Sequence, residues 1–188
     1  PNIGLKVAVA GALAKLQSQR GRAVLRELLQ SSDERIRLRA ALLLVESGGD
    51  AATARPVLRD AVDKPGLPED VQLRVLSRLA QTGDAQAVAR LREALAGDEF
   101  SLRRVSAAAG LARVGEPSGK ELLRQATQKE GPTQLLAALM LATVGDSLGF
   151  VRMVQVATSA SYPEPSRLVA IDGLSACGRR QGAQQLLK

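Results

Sequence analysis

The chain has 188 residues, of which 45% are hydrophobic and only 2% aromatic, so Ala, Leu and Val must supply its core. A lone cysteine, Cys177, excludes an internal disulfide framework, and the absence of histidine removes the usual anchor of a zinc cluster. The net charge of +7 and isoelectric point near 10.3 invite an anionic partner, but acidic residues are spread throughout and no long cationic run exists.

A spaced signature then recurs down the chain. The first copy falls at Lys6, Val7, Leu13 and Gln17. Later copies place Arg37, Leu38 and Leu44 before Gly48, Gln72, Leu73 and Leu79 before Gly83, and Arg104, Val105 and Leu111 before Gly115. Gln134, Leu135 and Leu141 precede Gly145, and Arg167, Leu168 and Leu174 precede Gly178. Successive anchors lie 31, 35, 32, 30 and 33 residues apart. Self-similarity at a period of roughly 20–50 residues marks a solenoid. Each copy predicts a helix ending at the glycine, a short turn and a second helix.

The segment 104–114 illustrates the pattern. Val105, Ala108, Leu111 and Ala112 fall at helical spacing, and Gly115 supplies a stop. Glu116 and Pro117 open the next helix, which carries Leu122, Leu123 and Ala126 toward the core. Pro68, Pro132 and Pro165 mark starts in other copies, and segments 63–70 and 159–165 read as protruding loops. Sustained strand alternation is absent, so the expected fold is all-α. The longest apolar stretch, 135–144, is too short to span a bilayer, which needs about 20 residues. Both ends fall inside a repeat, which predicts one repeat domain over 1–188 cut from a longer solenoid.

The runs Arg37-Leu38-x-Ala40-Ala41-x-x-Leu44 and Arg104-Val105-x-Ala107-Ala108-x-x-Leu111-x-x-x-Gly115 resemble HEAT-like repeats of the phycobilisome-lyase type. The resemblance implies a right-handed α-solenoid of about six helical pairs that acts mostly as a protein-binding scaffold. Some relatives are lyases, hydroxylases or DNA glycosylases. The hydroxylases use His-Glu metal pairs and the glycosylases lean on Trp, and this chain has neither histidine nor tryptophan. No cofactor or metal is expected.

Two rows of residues are candidates for function. Arg37, Arg104 and Arg167 share one repeat position with Gln72 and Gln134. The resemblance implies an internal ladder there, with acids of neighbouring repeats as partners; Asp98 fits best, and Asp33, Asp70, Glu130 and Glu164 fit less well. The second row is a ridge nine, five and two residues before each anchor, opposite the predicted buried stripe. It holds Arg39, Arg74, Arg78 and Arg113 in the earlier copies and Leu136, Met140, Thr143, Val169, Gly173 and Ala176 in the later ones. In the family this ridge lines the concave surface. An acidic segment at the basic end and an apolar anchor at the other would suit it. The alternative is that the apolar end packs on further repeats or another domain.

The expected function is noncatalytic: binding a protein partner, or a segment of the same parent chain, through Arg39, Arg74, Arg78, Arg113, Leu136 and Met140. Nucleic acid is the runner-up, since Arg20, Arg22, Arg26, Arg35, Arg37 and Arg39 can meet phosphates, but aromatic platforms and a groove-reading motif are missing. An enzyme is the remote alternative. Arg179 and Arg180 near Cys177 would depress a thiol pKa, yet Thr82, Val114 and Val144 hold the same repeat position, which favours helix-end packing. The run from Gly115 to Glu121 is one residue short of a phosphate loop and joins two helices, so it reads as a repeat turn.

Overall fold

The glycine anchors end helices in the computed structural model, which describes residues 2–49, 51–97, 99–129, 131 and 133–177. The helices are α1 (Ile3–Lys15), α2 (Gln19–Leu28), α3 (Glu34–Glu46), α4 (Ala51–Val62), α5 (Glu69–Gln81) and α6 (Ala85–Glu93). They continue as α7 (Leu102–Arg113), α8 (Pro117–Gln128), α9 (Gln134–Thr143), α10 (Ser147–Thr158) and α11 (Glu164–Cys177). No strand occurs among the described residues. After the leading α1, α2 pairs with α3 and α4 with α5, and further along α8 pairs with α9 and α10 with α11. Gly178, the last anchor, lies outside the described residues, as does Pro132.

Each turn is closed by the same hydrogen bonds. The amide after the anchor reaches back to the leucine four residues before it: Asp84 to Leu79 at 3.2 Å, Glu116 to Leu111 at 3.1 Å and Asp146 to Leu141 at 3.0 Å. Gly83, Gly115 and Gly145 adopt φ of 81°, 84° and 76°, the left-handed conformation that closes a Schellman cap. Gln17, which stands where the first copy lacks glycine, takes φ 63° in the same register. The turn therefore forms without the residue that favours it. The two long loops are shorter than the sequence suggests, because Glu69 and Asp70 already belong to α5, and Glu164 and Pro165 to α11.

The chain divides into two compact units, Pro1–Arg90 and Leu91–Lys188, with the division inside α6. In the first unit α3 packs on α1, α2, α4 and α5; in the second, α9 packs on α7, α8, α10 and α11. Contact with the adjacent helix and with the equivalent helix of the next repeat is α-solenoid packing. Leu44 and Leu79 are buried in the first unit, and Leu111, Leu141 and Leu174 in the second. A fully buried leucine contributes roughly 1.5–3 kcal/mol. Leu13 and Leu168, which the signature places on the buried stripe, are 38% and 54% exposed. Both stand in the first and last copies, where α1 and α11 have a described neighbour on one side only.

Small residues let the paired helices touch. A Cβ on Gly119 would lie 2.4 Å from the Ala108 carbonyl oxygen, and one on Gly149 would lie 2.4 Å from the Ala142 amide nitrogen. Gly21 makes the same approach to α1, with a Cβ position 2.6 Å from the Ala14 amide. Gly149 is thus a contact point between α10 and α9.

Candidate binding groove

The arginine ladder exists, with different partners. Arg37 Nη1 donates to the carbonyls of Ser31 at 2.7 Å and Ser32 at 3.0 Å. Arg104 donates to Leu95 and Glu99 carbonyls, both at 2.8 Å, and its guanidinium lies 5.8 Å from the Phe100 ring centre. Gln134 donates to Thr127 at 3.1 Å, and Arg167 makes a longer contact, 3.5 Å, to Ala157. Thr127 and Ala157 lie in the last turn of the preceding helix, where carbonyls are unpaired and carry its negative pole, and Ser31, Ser32, Leu95 and Glu99 lie in the connection that follows. For Arg37 and Arg167 the partners found are backbone carbonyls, not the expected Asp33 and Glu164; Asp98, the expected partner of Arg104, and Glu130 lie outside the described residues.

Carboxylate rungs occur elsewhere, on the helices that follow each glycine turn. Arg59 pairs with Asp84 at 2.6 Å in the first unit, and Arg92 with Glu116 at 2.7 Å and Arg124 with Asp146 at 2.8 Å in the second. Each acid immediately follows an anchor glycine. Asp84 also accepts from the Ala87 amide at 3.0 Å, and Asp146 from the Leu148 amide at 3.1 Å. Burial opposes the charge of Asp84, but the Ala87 amide and the Arg59 guanidinium outweigh it and hold the carboxyl below the ordinary range.

The candidate ridge residues occupy unlike settings. Arg39 and Arg74 are exposed and line one groove of about 850 Å³ in the first unit. Arg35 joins them, with Leu38, Leu42, Leu43, Leu67, Pro68 and Val71 as the apolar lining and Gly66 and Glu46 at its edge. Among the described residues Arg35, Arg39 and Arg74 have no carboxylate partner. Arg78 differs. Its guanidinium pairs with Glu46 at 2.6 Å and donates to Gln81 at 3.2 Å, while Lys15 reaches Glu46 at 3.4 Å. Burial works against the Glu46 charge, but Arg78 and then Lys15 prevail and keep its carboxyl below the ordinary range. Arg78 is thus committed inside the unit.

In the second unit Arg113 is exposed and Nη2 lies 3.3 Å from the Met140 sulfur. Leu136 and Met140 are half-buried against a cluster that includes Val105, Leu123 and Leu141. Gly110 and Gly173, five residues before their anchors, are buried outright. A helix between two neighbours is covered on more than one side, so a ridge drawn opposite a single buried stripe mixes solvent with contact positions. The loop wall of the groove, from Gly66 to Pro68, is what sequence reasoning missed; only the length of the 63–70 connection hinted at it.

The HEAT-repeat family model matches residues 1–69, which include α1 to α4 and the groove's loop wall. Over that stretch the chain is similar to HEAT repeats. HEAT repeats commonly serve as protein-interaction scaffolds. No curated protein matches the chain. Among solved structures it is similar to human deoxyhypusine hydroxylase in complex with glycerol, at 18% identity and a TM-score of 0.38, over 100% of this chain and 73% of that one.

No helix among the described residues is long and apolar enough to cross a membrane. No group of three His, Cys, Asp or Glu among them is placed to hold a metal ion. Cys177 packs at the margin of the cluster around Phe150, Met153 and Leu174, and burial pushes its thiol pKa up. That is the opposite of activation. Arg179 and Arg180 lie outside the described residues.

Proposed function

We propose that the chain is a noncatalytic scaffold that binds a protein, or a segment of its own parent chain, on the α3–α5 face. The carrying observation is that Arg39 and Arg74 stand at the same repeat position, line one groove and have no carboxylate partner among the described residues. Exposed arginines that shed water on binding, beside apolar side chains, form the kind of compact cluster that concentrates binding energy. Arg78, Leu136, Met140 and Arg113 are engaged within their own units, so we assign the contact to Arg39 and Arg74. Phosphate binding is less favoured, because Arg22 donates to the Ser47 carbonyl at 2.9 Å and Arg37 to Ser31 and Ser32, which depletes the basic cluster.

Nuclease-treated affinity capture on the wild-type chain and on Arg39→Glu/Arg74→Glu tests this reading. Proteins retained by the first and lost by the second are expected. Equal recovery on both would remove this face from the binding site, and recovery that collapses with nuclease would transfer it to nucleic acid.

A further inference from the structure

We propose that the groove between α3 and α5 seats a short acidic peptide segment bearing apolar side chains, its carboxylates on Arg35, Arg39 and Arg74 and its apolar side chains on Leu38, Leu67 and Val71. This rests on the scaffold reading above and specifies the chemistry of the partner. Three guanidinium groups line one groove with no described acid to neutralise them. Each offers the planar, two-pronged donor pattern that fits a carboxylate. Between them the lining is leucine, valine and proline, which a purely ionic ligand would leave uncovered. The one acid in the lining, Glu46, is already held by Arg78 and Lys15. Acidic residues of the ligand therefore belong at the Arg35–Arg39 end of α3, and the Glu46 end takes an uncharged or basic residue.

Size and composition agree with a peptide. From Arg35 to Glu46 the helix runs roughly 16 Å at about 1.5 Å per residue, the reach of about five extended residues. A volume of about 850 Å³ suits a few side chains. No aromatic residue lines the groove, so a single-stranded nucleic acid would find no stacking platform.

The test is selection of a random-peptide display library on the full chain, with depletion on Arg39→Glu/Arg74→Glu, followed by fluorescence anisotropy of the enriched peptides. Expected are peptides rich in Asp or Glu together with Leu, Ile or Val. Their affinity should fall about tenfold or more for each arginine reversed, and also on Leu67→Ser, which changes no charge. Circular dichroism of each variant guards against unfolding. Neutral or basic winners that still need the arginines overturn the acidic chemistry and leave the scaffold reading standing. Winners that bind wild type and the double variant alike, no groove-dependent enrichment, or an oligouridine that competes at equal strength overturn the site itself.

Discussion

Nine residues before the anchor glycine, the first unit sets Arg39 and Arg74 in solvent, whereas the second sets Ser106 and Leu136 half-buried among neighbouring helices. Five residues before it, the first unit has Leu43 and Arg78, one filling the space over Gly11 and the other clasping Glu46. The second has Gly110, Met140 and Gly173, two of them buried and the third packed on the core. The position nine before the anchor is thus in solvent at Arg39, Arg74 and Val169 and half-buried at Ser106 and Leu136, so each copy settles its role by its own neighbours. Close crossings at Gly21, Gly119 and Gly149 bring helices together in both units, and in the first a longer connection at 63–68 also leaves a groove beside α3.

The comparison can be broken most forcefully at those crossings. Gly119→Val forces a side chain into the Ala108 carbonyl and should cost about 3 kcal/mol, with amide exchange rising in α7–α9 first. Next, Leu136→Ser with Met140→Ser should lower stability by about 2 kcal/mol, read as a reduced melting temperature. An unchanged melt would mean that these two side chains belong to the surface after all.

In the first unit, Asp84→Ala should cost about 1–2 kcal/mol at neutral pH, chiefly through the lost cap on Ala87. Arg59 is 57% exposed, so the ion pair itself adds little. Because the folded carboxyl titrates below its ordinary value near pH 4, its contribution is full above that pH and fades as pH falls through the depressed value. Chemical denaturation of wild type and variant should therefore converge in acid. Gln17→Gly should stabilise the unit by roughly 0.5 kcal/mol, since relief of the left-handed conformation exceeds the loss of the hydrogen bond from Arg22. The smallest effect is expected for Arg39→Glu with Arg74→Glu, within about 0.5 kcal/mol of wild type. A larger drop would show those arginines to be structural.

The turns were legible because a glycine at fixed spacing from a leucine specifies both the stop and the carbonyl that closes it. The all-α fold and the buried Leu44, Leu79, Leu111, Leu141 and Leu174 followed from the same register. The ladder was placed on the right residues, but Arg37 and Arg167 hold backbone carbonyls in place of the acids expected. Carboxylates are visible in a sequence, whereas the free carbonyls at a helix end become apparent only when the end itself is fixed. The candidate site was half legible. Arg39 and Arg74 emerged from helical spacing alone; the loss of Arg78 to Glu46 depended on a residue 32 positions away.

A backbone carbonyl belongs to every amino acid, so an arginine that grips carbonyls asks nothing of the side chains it passes. Arg37 and Arg104 can hold their junctions while the connecting residues mutate freely, provided the chain still brings an oxygen within reach. Such a clasp tolerates drift and even insertion between helices. Connections of unequal length can then accumulate in one array, and each offers a differently shaped recess from which selection can carve a new contact.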